Sequence, residues 1–230
     1  MAIALHRLLI VGSFAGTSLL AQGTRPPARC AAVADFVELQ GRDTVAFSRL
    51  VLTDSTFEST THAVTQGALV RHTGRRTAAG ELSQLHMEVW PNIADSARAP
   101  AQIADVVVQG ADVSARVAAP TRGMQMQRDH LPPGGVLYMT GVPLFLELLQ
   151  SHVHVAVGAT TTVPALWLFT GGAIDTVQVT RPAADSLTLR FPDIAYDLKL
   201  APDHSILAAM SQPKPGTSGS SSRLVRRDCH

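Results

Sequence analysis

The sequence predicts a mainly β protein: an antiparallel meander that forms a curved sheet or half-barrel around one apolar helix. Apolar and polar residues alternate along much of the chain after residue 35, as in half-buried strands. Residues that favour turns recur about every 8 to 12 positions, a spacing typical of short antiparallel strands. A single segment near residue 145 is instead apolar on most of its sides, which indicates a buried helix.

The chain begins with a segment that is typical of a secretory signal peptide. Arg7 precedes an apolar run from Leu8 to Ala21, about 14 residues that end on a small side chain. A membrane-spanning helix needs about 20 residues, and no longer apolar run follows, so no transmembrane segment is predicted. We therefore expect a periplasmic or secreted protein. A buried N-terminal helix is the alternative interpretation of this segment.

Strand candidates follow one another through both halves of the chain. Residues 91–103 show no clear period and are expected to form a loop. Thr and Val are frequent in the first half, as strand positions favour. In the first half, the predicted strands are 43–52, 56–64, 68–75, 81–90, 106–109 and 112–118. In the second half, they are 163–170, 173–181, 186–191, 194–200 and 205–210.

One helix is predicted after Thr140, which can cap it, and Pro143, which suits a first helical turn. Apolar side chains then recur four residues apart over residues 144–150. Because this helix is apolar around most of its surface, we expect it to lie against the sheet or in the mouth of a half-barrel. It either fills the core or acts as a moving lid.

The end of the chain is predicted to be a flexible tail, because Pro, Gly and Ser dominate residues 212–222. Residues 223–226 are a candidate last strand. The predicted organisation is a signal peptide over 1–21, an N-terminal segment over 22–34, a β-rich domain over 35–211, and a flexible loop and C-terminal tail over 212–230.

Charge argues against a nucleic-acid-binding protein. The whole chain has a formal net charge of +1, and Arg7 is the only charged residue of the predicted signal segment. The remaining chain therefore has equal numbers of acidic and basic residues, whereas nucleic-acid binding requires a positive footprint. Neither a phosphate-binding loop nor a dinucleotide fingerprint is present, and no cofactor is predicted.

Two cysteines, Cys30 and Cys229, lie near the two ends of the chain. In an oxidising compartment such a pair favours a disulfide. Closing so long a loop stabilises the fold by about 4–5 kcal/mol in the chain-entropy model. Two free or intermolecular thiols are the alternative.

The pair His152 and His154 is the sharpest candidate for chemistry. On a strand, both imidazoles would face the same side and could bind a metal ion. By residue type, the third ligand would be Asp129, His130 or His204. The alternative is two partly exposed histidines where a helix meets a strand. The motifs H-E-x-x-H, C-x-x-C and G-x-S-x-G are all absent, so no catalytic residue is predicted.

Two further groups of side chains have both a binding and a structural interpretation. Arg71, His72, Arg75 and Arg76 form a basic cluster that could bind an anion or cover a solvated hairpin end. Large apolar side chains could line an apolar pocket, although core packing is their usual role. The candidate ligand-binding residues are Leu144, Phe145, Leu148, Trp167 and Phe169.

The stretch Gly41-Arg-Asp-Thr-Val-Ala-Phe-Ser-Arg49, followed by regular hairpins, resembles exported bacterial β-sheet domains of uncharacterised families. The layout of signal peptide, curved meander and apolar helix is similar, over roughly residues 35–211, to the LolA/LolB-like periplasmic lipoprotein carriers. That resemblance implies an incomplete barrel with a helical lid that holds an apolar lipid moiety.

The predicted function is non-enzymatic: binding of a lipid-like or apolar ligand, or a scaffold role in the cell envelope. The His-x-His pair leaves a metal-dependent hydrolase as one alternative. A β interaction domain of a larger envelope complex, with an unknown partner protein, is another.

Overall fold

The computed structural model describes residues 33–120, 123–139, 142–217 and 220–228. They form a single open, curved sheet of 15 strands with one α-helix, which confirms the predicted fold class. The predicted signal peptide and both cysteines, Cys30 and Cys229, lie outside the described residues.

The first half of the chain forms eight strands in succession, each hydrogen-bonded to the next. They are β1 (Val33–Gln40), β2 (Asp43–Leu52), β3 (Thr56–Ala63), β4 (Ala68–Arg76), β5 (Leu82–Trp90), β6 (Gln102–Gln109), β7 (Asp112–Ala119) and β8 (Gly123–His130).

The second half contains the helix and seven more strands. In chain order these elements are β9 (Val136–Tyr138), α1 (Pro143–His152), β10 (Thr160–Trp167), β11 (Ile174–Ala183), β12 (Ser186–Arg190), β13 (Ile194–Leu200), β14 (Ile206–Pro213) and β15 (Ser222–Arg226).

The two halves meet where β15 pairs with β1, so that both ends of the described chain lie in the middle of the sheet. The order across the sheet is β8 to β1, followed by β15 down to β9. Neighbouring strands are antiparallel except β9 and β10, which are parallel because α1 crosses over between them. The candidate last strand at residues 223–226 therefore joins the two meanders.

The structure contains strands that the sequence reasoning did not identify. β1 starts inside the predicted N-terminal segment 22–34, and apolar side chains on both of its faces obscure the alternation. β8 is an edge strand whose residues are mostly exposed, so burial imposes no pattern on its sequence. β9 has only three residues, too few to show a period. The predicted loop 91–103 contains a short 3₁₀ helix, Ile93–Asp95, and the start of β6.

The helix α1 fills the concave side of the sheet. Its first seven residues, Pro143 to Leu149, are all buried, which requires contacts around the whole circumference of the helix. The inward-facing side chains of both meanders pack around it as one hydrophobic core. Within the residues that the structure describes, no helix has the length and apolar character needed to cross a membrane.

Candidate functional site

The main candidate site is cavity A, a space of about 260 Å³ beside the C-terminal half of α1. Four separate segments line it: the start of β5 near Leu82, the β6–β7 turn around Ala111, the loop 131–135 and the helix at Leu148. Its wall is mostly aliphatic. Protein pockets for small apolar ligands have this aliphatic character, and cavity A is slightly smaller than their usual volume of about 300 Å³ or more.

One side of cavity A is polar. His152, the last residue of α1, places its Nδ1 3.6 Å from Oε1 of Glu81. Both residues line the cavity, and the Glu81 side chain is half exposed to solvent. An amphipathic ligand could therefore keep its apolar part among the aliphatic side chains and a polar group near this pair.

The loop 131–135 lines cavity A and contains a tight turn. The Gly135 N–H donates to the Pro132 carbonyl oxygen at 2.8 Å. Gly134 has a φ of +68°, a backbone angle that residues with a side chain rarely adopt. A Cβ atom on Gly135 would come within 2.8 Å of the same carbonyl oxygen. The two glycines are therefore needed for the shape of this turn.

Cavity B, about 290 Å³, lies at the other end of α1. Val142, Pro143 and Leu146 form its helical wall. Strand residues complete it, among them Ser211 and Ser222, whose hydroxyl groups are hydrogen-bonded to each other at 2.9 Å. Cavities A and B thus lie towards opposite ends of α1.

The predicted ligand-binding residues occupy different places. Leu148 lines cavity A. Leu144 and Phe145 are completely buried in the core between helix and sheet. Trp167 packs edge-on against Tyr138, with ring centroids 5.2 Å apart, and Phe169 is partly buried against the core with a left-handed φ of +65°.

The two histidines of the predicted metal pair face different cavities. His152 ends the helix and lines cavity A, whereas His154 follows it without entering a strand and lines a third space, cavity C. Of the proposed third ligands, only His204 also lines cavity C. The described part of the chain contains no group of three or more His, Cys, Asp or Glu side chains that could hold a metal ion.

The basic cluster around His72 does not form as a unit. His72 on β4 is 0% exposed, and it packs edge-on against the Phe145 ring at a centroid distance of 6.2 Å. Arg71, its neighbour on the other face of the strand, lies over the Trp90 ring at 5.0 Å. Because successive side chains of a strand point to opposite faces, the cluster is split between core and surface.

His72 has no hydrogen-bond partner at either ring nitrogen. Burial lowers the pKa of His72 from 6.5 to about 4, since nothing nearby compensates the loss of water around a charged ring. The ring is therefore neutral at physiological pH and functions as part of the core.

Glu147 is another buried ionisable side chain, with 5% of its surface exposed. Burial raises the pKa of Glu147 from 4.5 to about 7, while the hydrogen bond from the Ile206 N–H and the charges of Arg226 and Arg76 act in the opposite direction. The N–H of Ile206 on β14 donates to Oε1 of Glu147 at 2.9 Å. Glu147 therefore connects the middle of the helix to the sheet.

Sequence reasoning identified only fragments of cavity A. Leu148 and the Pro/Gly loop 131–135 stood out in the sequence, but Leu82, Val108 and Ala111 belong to distant hairpins. Only the three-dimensional fold brings these segments together, and no local pattern marks them as one wall.

Comparison with known proteins gives a faint similarity of fold. No family model and no curated protein matches the chain. Its structure is similar to the crystal structure of a DUF1089 family protein from Pseudomonas aeruginosa, with a TM-score of 0.49 and 13% identity. The match covers 77% of this chain and 93% of that chain. This is a weak likeness to a β-rich fold, and it shows no link to LolA/LolB-like carriers.

Proposed function

We propose that the protein binds a lipid-like or apolar ligand in cavity A without transforming it. The observation that carries this proposal is the aliphatic cavity between the buried helix and the sheet. Filling such a cavity removes apolar surface of the ligand from water, which contributes roughly 25 cal/mol for each Å² buried.

The lining of cavity A supports an amphipathic ligand. The loop 131–135 lines the cavity together with aliphatic side chains, including Leu82 and Leu148, and the Glu81–His152 pair supplies a polar side. A ligand with an apolar body and one polar end matches both parts of this lining.

A substitution that fills cavity A tests the proposal. Ala111 lines the cavity in a turn and is only half buried, so that Ala111→Phe adds a ring at little cost to the core. We expect the affinity for the neutral apolar dye N-phenyl-1-naphthylamine, measured by fluorescence titration, to fall about ten-fold or more, which corresponds to about 1.4 kcal/mol.

The matched control is Ala94→Phe, which makes the same change at an exposed position that lines none of the three cavities. Its affinity for the dye should equal that of the wild type. Equal affinities of all three proteins, or no binding by the wild type, would refute the assignment of cavity A.

We further propose that the protein is exported and that Cys30 and Cys229 form a disulfide. The positions of the flanking strands support this pairing: the Arg227 N–H donates to the Asp35 carbonyl oxygen at 2.8 Å, and the Asp35 N–H donates to Oδ1 of Asp228 at 3.1 Å. Each cysteine is only a few residues from these contacts in the sequence.

The export proposal has a direct chemical test. Protein purified from the periplasm or medium should begin near residue 22 and show no free thiol to an alkylating reagent until it is reduced. Reduction, or Cys30→Ser, should lower the free energy of unfolding, by up to about 4–5 kcal/mol in the chain-entropy model. Two thiols that are alkylated in the folded, unreduced protein would exclude the disulfide.

A further inference from the structure

Cavity C lies beside the C-terminal end of α1 and has no role in the binding proposed for cavity A. It has a volume of about 550 Å³ and is the most polar of the three cavities. Its wall includes Ser151, His154, Arg181, Asp203 and His204. Side chains from the helix end, from β11 and from the β13–β14 turn therefore meet at one place.

Arg181 makes two polar contacts at this wall. Its Nη2 donates to the Ala184 carbonyl oxygen at 2.8 Å and lies 3.2 Å from Nδ1 of His204. No carboxylate forms an ion pair with Arg181 among the described residues, and its buried Nε has no hydrogen-bond partner. Of the guanidinium nitrogens, only Nη2 has a hydrogen-bond contact among the described residues, so donor capacity remains.

His204 adds a second donor. A guanidinium group can only donate, so Nδ1 of His204 must accept from Arg181, and in the neutral ring the proton is then on Nε2. The His204 backbone has a φ of +67°, a left-handed conformation, and its N–H donates to the Ala201 carbonyl oxygen at 2.9 Å. The turn thus places His204 beside Arg181, while His154 lines the same cavity.

Asp203 is the one acidic side chain of the cavity wall. Its Oδ1 accepts from the Ser205 N–H at 3.1 Å and from the Ser205 hydroxyl at 2.7 Å, so this oxygen is engaged by its own turn. A metal ion would need several ligands within reach of one point, and the described residues offer no such group. The donors of Arg181 and His204 instead match an oxyanion.

We propose that cavity C binds an oxyanion of the phosphate class, with Arg181 and His204 as its donors and His154 at its edge. A planar guanidinium fork beside a second N–H donor suits the several oxygens of a phosphate group. The phosphate can belong to a free ion or to the head of a phospholipid, and these two sources share the same recognition chemistry.

The test uses three probes with the purified full protein: inorganic phosphate, dihexanoylphosphatidic acid and neutral dihexanoylglycerol. Binding is followed by isothermal titration calorimetry and by the NMR signals of the histidine rings. Arg181→Gln removes the charged fork and should weaken binding of the phosphate-bearing probe about ten-fold or more. Arg190→Gln changes an exposed arginine on the neighbouring strand β12 and should leave binding unchanged.

A second variant guards against misfolding. Asn tolerates the left-handed backbone, so His204→Asn keeps the turn while it removes the imidazole, and it should also weaken phosphate binding. Circular dichroism of each variant verifies the fold. Ala111→Phe should leave phosphate binding unaffected, and Arg181→Gln should leave the binding of the neutral dye to cavity A unaffected. The proposals for the two cavities are therefore tested independently.

The outcomes separate the sources of the anion. Binding of inorganic phosphate that depends on Arg181 establishes a free-anion site. Binding of phosphatidic acid alone, with the same dependence and with weaker binding of dihexanoylglycerol, establishes a lipid headgroup site. The proposal is overturned if neither phosphate-bearing probe binds, or if Arg181→Gln binds both phosphate-bearing probes like the wild type.

Discussion

The interfaces on two sides of α1 each contain a buried ionisable side chain, and the two side chains are accommodated differently. On the side of β14, Glu147 is buried but accepts a hydrogen bond from the Ile206 N–H at 2.9 Å. On the side of β4, His72 is buried against Phe145 and neither ring nitrogen has a partner. One ionisable group thus links helix and sheet, whereas the other is held only by packing.

The comparison shows that burial acts on the two groups in opposite directions of pH. The pKa of Glu147 rises from 4.5 to about 7, so the stability that this group contributes is complete below pH 4.5 and is lost as pH rises through 7. The pKa of His72 falls from 6.5 to about 4, so its contribution is complete above pH 6.5 and is lost as pH falls through 4. Between these limits the two trends largely cancel.

Removing the charge of Glu147 should reveal the increase of stability with pH that is due to His72. Glu147→Gln keeps an acceptor for the Ile206 N–H but cannot ionise. Relative to the wild type, its free energy of unfolding should therefore increase by roughly 3 kcal/mol between about pH 4.5 and pH 7, in proportion to the pKa shift. Urea denaturation at a series of pH values measures this difference.

The matched control for this variant is Glu58→Gln, because Glu58 is exposed on β3. Its stability should follow the wild-type pH profile. If the profile of Glu147→Gln also ran parallel to that of the wild type, Glu147 would not titrate differently in the folded and unfolded states.

Replacing His72 with a side chain that cannot ionise should reveal the gain of stability towards acidic pH that is due to Glu147. His72→Leu places an aliphatic side chain beside Phe145 and eliminates two buried nitrogens that have no partner. The variant should gain stability relative to the wild type as pH falls from about 6.5 to 4, by up to roughly 3 kcal/mol. The same urea series measures the gain.

His62→Leu is the control, since His62 lies on the neighbouring strand β3 and is only half buried. We expect no comparable gain at acidic pH. A His72→Leu protein that lost stability by the same amount at every pH would mean that the shape of the imidazole, and not its buried nitrogens, dominates at this position.

Sequence predicts the strands better than it predicts this contrast. Strands with one buried face, such as β2 and β13, have clear alternation and start and end where expected. His72 was assigned to a basic cluster because its neighbours in sequence are arginines, although strand geometry turns it to the opposite face. Glu147 was not singled out, because it lies within an otherwise apolar helix and its partner Ile206 is far along the chain.

Cavity C depends even more than the strands on contacts between residues that are far apart in the sequence. Arg181 and His204 are separated by two strands, and only the hairpins that connect β11 to β14 bring them together. His154 was singled out for its spacing from His152, but it shares a cavity with His204 instead. Spacing identifies neighbours on one element, whereas a cavity wall is assembled from several.

The smallest expected effect concerns two buried serines on the inner face of the first meander. The Ser48 hydroxyl is hydrogen-bonded to that of Thr61 at 2.9 Å, whereas the Ser59 hydroxyl, opposite His72, has no partner. Ser48→Ala leaves the Thr61 hydroxyl unpaired and should cost about 1–2 kcal/mol, while Ser59→Ala removes an unpaired group and should change stability by less than about 1 kcal/mol. Urea denaturation at neutral pH compares them. Equal losses in the two variants would show that the Ser59 hydroxyl is as well satisfied as that of Ser48. The contrast between buried polar groups with and without a hydrogen-bond partner would then be confined to Glu147 and His72.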